Sequence, residues 1–127
     1  MISTLVNRAP IEEFKATRGL RQGDMISPFL FILAAEGLGR YIKKELRDRN
    51  IQGLKLWGNR TTVSHQQFVD DIIIYCKATL REVKRIKKIL EVFMEGTGME
   101  VNNEKSITFF FNIAEPIQNH LTRVLGY

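Results

Sequence analysis

Apolar positions recur at helical spacing in three stretches and alternate or cluster in strand-like runs elsewhere. Phe31, Ala34, Ala35, Leu38, Tyr41, Ile42 and Leu46 follow three- and four-residue intervals, which predicts a helix with one inward face and with Lys43, Lys44, Arg47 and Arg49 turned outward. Ser27-Pro28 marks its start, a capping residue followed by proline at the first helical position. Val83, Ile86, Ile89, Leu90, Phe93 and Met94 predict a second helix. Thr79-Leu80-Arg81-Glu82 reads as its capping box, and Gly96 and Gly98 as its end. Beyond the break at Glu115-Pro116, Ile117, Leu121, Val124 and Leu125 begin a third.

Between these helices the pattern is that of hairpins. Ile2 to Val6, the turn-like Asn7-Arg8 and Ile11 to Ala16 predict one, with Pro10 confined to an edge or bulge. Gly53 to Trp57, Gly58-Asn59 and Thr61 to Ser64 predict another, with Trp57 as a packing residue. Val63-Ser64-His65-Gln66-Gln67 and Ile72-Ile73-Ile74-Tyr75-Cys76 form the arms of a third, around Phe68-Val69-Asp70-Asp71. The alternation of Ile107, Phe109 and Phe111 predicts a further strand. The expected fold is therefore α+β: a mainly antiparallel sheet with the Ser27 and Thr79 helices packed on it.

Composition narrows the class. The 127 residues, 44% hydrophobic and 26% charged, suit one globular domain with a real core. No apolar run reaches the roughly 18 residues of a membrane span, and the first residues lack the order of a signal peptide. A soluble, intracellular chain without a membrane partner is expected. The single Cys76 excludes a disulfide framework and a Cys-built zinc site, and it reads as a core thiol. The net charge of +5 is concentrated around Arg40 to Arg49 and Arg81 to Lys88, which favours a polyanionic partner. Lys84, Lys87 and Lys88 read as the solvated face of the second helix.

The chemistry centres on Asp70-Asp71. Two adjacent carboxylates in a strand-like setting repel each other, and a divalent cation offsets that cost; the other reading of the pair is an Asx-type turn in solvent. Mg²⁺ suits the pair, because it takes one or two carboxylates and completes its shell with water and phosphate oxygens; this points to phosphoryl or nucleotidyl transfer. Upstream, Thr17-Arg18-Gly19-Leu20-Arg21-Gln22-Gly23-Asp24 is a glycine-containing loop placed against a helix start, where backbone N–H groups favour phosphate. His65 and His120 lack metal-spaced partners.

Taken in order, Arg18-Gly19-Leu20-Arg21-Gln22-Gly23-Asp24 with Ser27-Pro28-Phe29-Leu30-Phe31, then Phe68-Val69-Asp70-Asp71, then Gly98-Met99-Glu100-Val101-Asn102 with Lys105-Ser106, resemble reverse transcriptases of non-LTR retrotransposons, LINE-type elements of plants in particular. The resemblance spans nearly the whole chain. It implies a polymerase palm with an adjoining fingers-side hairpin over residues 1–127, Asp70 and Asp71 as catalytic ligands of Mg²⁺ or Mn²⁺, and Lys105 near the triphosphate. It further implies that Arg21, Gln22, Gly23 and Phe68 contact template or nucleotide. The partners of the complete enzyme would be an RNA template, a DNA primer and a deoxynucleoside triphosphate, and a nuclear location would follow.

There are departures from the family pattern. Val69 stands where close relatives carry alanine, and Met25-Ile26 where Pro-Leu is common. The family's other catalytic aspartate lies on a strand upstream of this stretch, and its primer grip and thumb lie downstream; Glu12, Glu13 and Asp24 do not match the missing position. The expectation is a partial domain with little independent activity and poor stability. Two rival readings are a non-catalytic basic nucleic-acid-binding module and a degenerate retroelement remnant.

Overall fold

The computed structural model describes Leu5–Val6, Ala9–Pro10, residues 23–58 and residues 60–126. The described residues form an α+β arrangement of three helices and short antiparallel strand pairs. Strands β1 (Leu5–Val6) and β2 (Ala9–Pro10) pair through Leu5 with Pro10 and Val6 with Ala9. The return strand thus begins earlier than expected; Asn7, Arg8 and Ile11 to Ala16 lie outside the described residues.

Helix α1 (Ser27–Arg47) buries Leu38 and Ile42 and half-buries Phe31, Ala34, Ala35, Tyr41 and Leu46, as its periodicity requires. Its boundary differs by one residue from expectation. Ser27 is already helical, and Ile26 occupies the cap position. Asp24 turns the chain into the helix, its carbonyl accepting from Ser27 N and its Oδ1 from Ile26 N.

Strands β3 (Leu54–Leu56) and β4 (Thr61–Val63) form the second hairpin in the register Leu54 to Val63. Trp57 is 78% exposed at its turn with φ of 47°, so it is not the packing residue expected. Strands β5 (His65–Phe68) and β6 (Asp71–Ile74) form the third. Buried Ser64 joins the two hairpins, and its carbonyl accepts from Tyr75 N. Among the described residues each of the three hairpins is a two-stranded ladder, and the expected antiparallel pairing is present. Residues 107–111 form no strand: Ile107, Phe109 and Phe111 face solvent, while Thr108 and Phe110 are half-buried. Alternation made this segment extended, but no neighbour among the described residues pairs with it.

Helix α2 (Leu80–Thr97) is capped by Thr79 Oγ1, which accepts from Glu82 N, and ends on Gly98 in the left-handed conformation, with Gly96 still inside the helix. The other half of the capping box is diverted. Glu82 is buried, and its Oε2 accepts instead from Gln52 N at 2.9 Å and Lys77 N at 2.8 Å, tying the loops before β3 and α2 together. Helix α3 (Glu115–Leu125) begins at Glu115-Pro116, the pair expected to end the preceding strand, and packs on α2. Lys87, expected on the solvated face, is half-buried and donates to the Val124 carbonyl at the end of α3.

The core lies between α1 and α2: Leu38, Ile42, Ile51, Ile86, Ile89 and Leu90 are buried together, with Ile72 and Ile74 of β6 against them. Cys76 lies just past β6 and is exposed, which corrects its reading as a core thiol. Even so, desolvation of the sulfur, followed by the nearby Glu82 charge, pushes its titration up to about 11.

Candidate functional site

The packing of β6 determines how the acidic pair is displayed. Ile72 and Ile74 alternate inward onto the core, so Asp71 and Ile73 take the outer face, opposite Phe68 and Gln66. Phe68 pairs with Asp71 and closes the ladder, leaving Val69-Asp70 as a two-residue turn. Val69 has φ of 53°, the positive value that a primed hairpin turn requires at its first central residue. That conformation is strained for a β-branched side chain. The turn is held by its ladder and by Tyr75 Oη, which donates to Gln66 Oε1 at 2.9 Å.

Asp70 and Asp71 are both exposed, and Phe68 beside them is 77% exposed. The hairpin therefore presents two hard oxygen donors and an aromatic ring at one tip. Among the described residues no group of three or more His, Cys, Asp or Glu side chains gathers to hold a metal. The donor set still suits Mg²⁺, which takes as few as one or two carboxylates and fills its remaining positions with water and phosphate oxygens.

The inner face anchors this hairpin to α1. His65 packs against Gly39, where an added Cβ would lie 3.0 Å from the imidazole Nε2. Its Nδ1 is 3.0 Å from Ser64 Oγ. Desolvation, then the charge of Lys43, holds the imidazole below its usual titration range, against a smaller opposing effect of Glu36.

Of the other expected site residues, the structure describes Gly23 and Lys105. Gly23 is exposed with φ of 85° at the approach to α1, while Arg21 and Gln22 lie outside the described residues. Lys105 is exposed in a turn organised by Asn102, whose Oδ1 accepts from Glu104 N and Lys105 N and whose carbonyl accepts from Ser106 Oγ. Lys105 makes no ion pair with Asp70 or Asp71 among the described residues.

A second polar feature escaped the residue pattern. Glu45 of α1 is 1% exposed, and its carboxylate accepts from Nε and Nη2 of Arg85 on α2 and from Asn50 Nδ2. The Arg85 hydrogen bond is the main cause that holds the carboxyl below the usual range, and it outweighs desolvation. A charge three residues after Ile42, on the stripe that carries Leu38, was the available signal.

Compared with known proteins, residues 1–127 match the family model described as reverse transcriptase (RNA-dependent DNA polymerase). The chain belongs to the reverse transcriptase family. The resemblance carried by the motifs around Gly23, Asp70 and Lys105 is thereby borne out at family level. An uncharacterised mitochondrial protein of Arabidopsis thaliana is 36% identical over 67 residues, covering 53% of this chain and 55% of that protein. The retrovirus-related Pol polyprotein from a type-2 retrotransposable element of Drosophila melanogaster is 32% identical over 97 residues, covering 76% of this chain and 8% of the polyprotein. The reverse transcriptase chain thus spans about half of one curated relative and a small part of the other. No solved structure matches.

Proposed function

We propose that the chain contributes the metal-holding palm segment of an RNA-directed DNA polymerase, on one observation above all: the hairpin turn that projects Asp70 and Asp71 beside Phe68. In this reading the primer 3′-hydroxyl attacks the α-phosphorus of a deoxynucleoside triphosphate, the new P–O bond forms, and the bond to pyrophosphate breaks. The hydroxyl proton passes to solvent. Asp70 and Asp71 would hold a divalent ion, Mg²⁺ or Mn²⁺. Such an ion supplies neutralisation of phosphate charge and acidification of the attacking hydroxyl.

The chain's own residues position the reactants. The Asp70-Asp71 tip is paired at its base by the β5–β6 ladder, which sets the direction in which the carboxylates project. Phe68 offers a face against a base or sugar, and Lys105 offers a cation to the triphosphate. Arg21, Gln22 and Gly23 would align template and nucleotide at the approach to α1. With two carboxylates gathered at the turn among the described residues, metal binding is expected to be weak and incorporation low.

Isothermal titration of Mn²⁺ or Mg²⁺ into the purified chain, with primer–template and nucleotide present, tests the proposal beside Asp70→Asn. Heat of binding that disappears in the variant supports metal-holding at the turn. Equal binding by both proteins overturns it. Template-dependent incorporation is measured in parallel, and robust extension by the wild-type chain would contradict its predicted weakness.

A further inference from the structure

Helix α2 carries Arg81, Lys84, Arg85 and Lys88 at three- and four-residue steps, which places four cations on one face. With Asn50 they line a shallow cavity of about 300 Å³, and among the described residues no carboxylate and no residue of the β5–β6 hairpin shares its walls. The floor is fixed. Arg85 and Asn50 both donate to buried Glu45, which holds the guanidinium and the amide in place. The rim is uncommitted: Arg81, Lys84 and Lys88 are exposed and form no ion pair among the described residues. Glu82, on the same helix, is buried and already accepts two backbone N–H groups, so it does not neutralise the rim.

Adjacent like charges on a helix repel, and Lys84 with Lys88 is such a pair at four-residue spacing, whereas the charge of Arg85 beside Arg81 is already matched by Glu45. A polyanion relieves that repulsion. We infer that the Arg81, Lys84 and Lys88 rim, floored by Arg85 and Asn50, binds the phosphate backbone of a nucleic-acid strand at a surface separate from the acidic turn.

The chemistry of the surroundings selects this partner. From Arg81 to Lys88 the stripe runs about 10 Å along the helix axis, the rise of about three nucleotides of one duplex strand. Nucleic-acid interfaces are polar and positive in this way, whereas protein interfaces centre on an apolar patch that this cavity lacks. A membrane-surface helix would need a free apolar face beside its cations. On α2 that face is occupied, since Val83, Ile86, Ile89 and Leu90 are buried.

The test measures fluorescence anisotropy of a labelled single-stranded RNA of about 20 nucleotides against the full chain in EDTA, over a series of salt concentrations. The variant Arg81→Gln/Lys84→Gln/Lys88→Gln is compared with Lys55→Gln/Arg60→Gln/Arg123→Gln, which removes the same charge from other exposed positions. The expected result is an affinity loss of about tenfold or more in the first variant alone, with its log–log salt slope shallower by about 2. Equal weakening in both variants overturns the inference, as does binding to anionic phosphatidylserine vesicles without binding to RNA. Amide chemical shifts of the wild-type chain give an answer independent of the variants' folding: on RNA addition, changes at residues 81–88 and Asn50 support the site, and changes confined elsewhere overturn it. Asp70→Asn should leave this binding intact, so failure here and failure of metal binding at the turn are separately visible.

Discussion

Glu45 shows how one residue can join two elements and set an acid limit on the fold. Its carboxylate is buried on α1 yet stays ionised because Arg85 and Asn50 donate to it. The folded chain therefore holds this carboxylate below its ordinary value of 4.5, and the unfolded chain takes up the proton first as pH falls. The resulting stabilisation is complete above that value and is lost as pH drops through the lowered folded one. Urea melts at pH 7 and pH 3 should show the wild type losing more stability on acidification than Glu45→Gln. At pH 7, Arg85→Ala should cost about 2 kcal/mol, less than for a fully buried pair because the arginine is partly in solvent. The spacing of Glu45 after Leu38 and Ile42 put it on the inward stripe of the sequence, but its partner was not legible. That contact depends on how α1 and α2 cross, over a separation of 40 residues.

At the scale of elements, the helices were legible because three- and four-residue periodicity reports directly on one buried face, as Ile42 in α1 and Ile86 and Ile89 in α2 confirm. The β5–β6 and β3–β4 hairpins were legible too, since short connections make the neighbouring run the natural partner. Pairing between hairpins was not. Alternation at Ile107, Phe109 and Phe111 signals an extended backbone but says nothing about which strand lies beside it. The same limit applies to the acidic site, where Asp70 and Asp71 are adjacent by covalent connection while Lys105 needs tertiary structure to approach them. Junctions are where the fold is tightest. A Cβ on Gly53 would collide with the Val63 carbonyl oxygen of the β3–β4 ladder, so Gly53→Ala forces backbone movement. It should lose about 1–3 kcal/mol in chemical denaturation. Gly37→Ala is the contrast: its Cβ meets nothing within 4 Å, it sits inside α1, and it should gain about 0.5–1 kcal/mol through helix propensity.

For the molecule as a whole, the distribution of apolar surface decides how the chain behaves in solution. Buried contacts concentrate on the C-terminal part of α1, α2 and β6, whereas the first turns of α1 expose Phe29 at 71% and Leu33 at 69%, and the 107–111 segment exposes Phe109 at 75%. These side chains contribute little to the core and much to contact with other copies, since exposed apolar patches drive association. Among the described residues the three two-stranded ladders have no further strand at their edges, which adds to the same hazard. Sedimentation velocity should therefore show larger species growing with protein concentration, together with binding of a hydrophobic dye. The triple variant Phe29→Ser/Leu33→Ser/Phe109→Ser should move the distribution towards monomer while leaving the thermal transition of the α1–α2 core within a few degrees, because surface changes away from packed contacts have small effects on stability. A wild-type chain that stays monomeric at every concentration and binds no dye would show that these side chains are covered in solution, contrary to the prediction. If the variant instead loses its cooperative transition, Phe29, Leu33 and Phe109 belong to the core rather than to an adhesive surface.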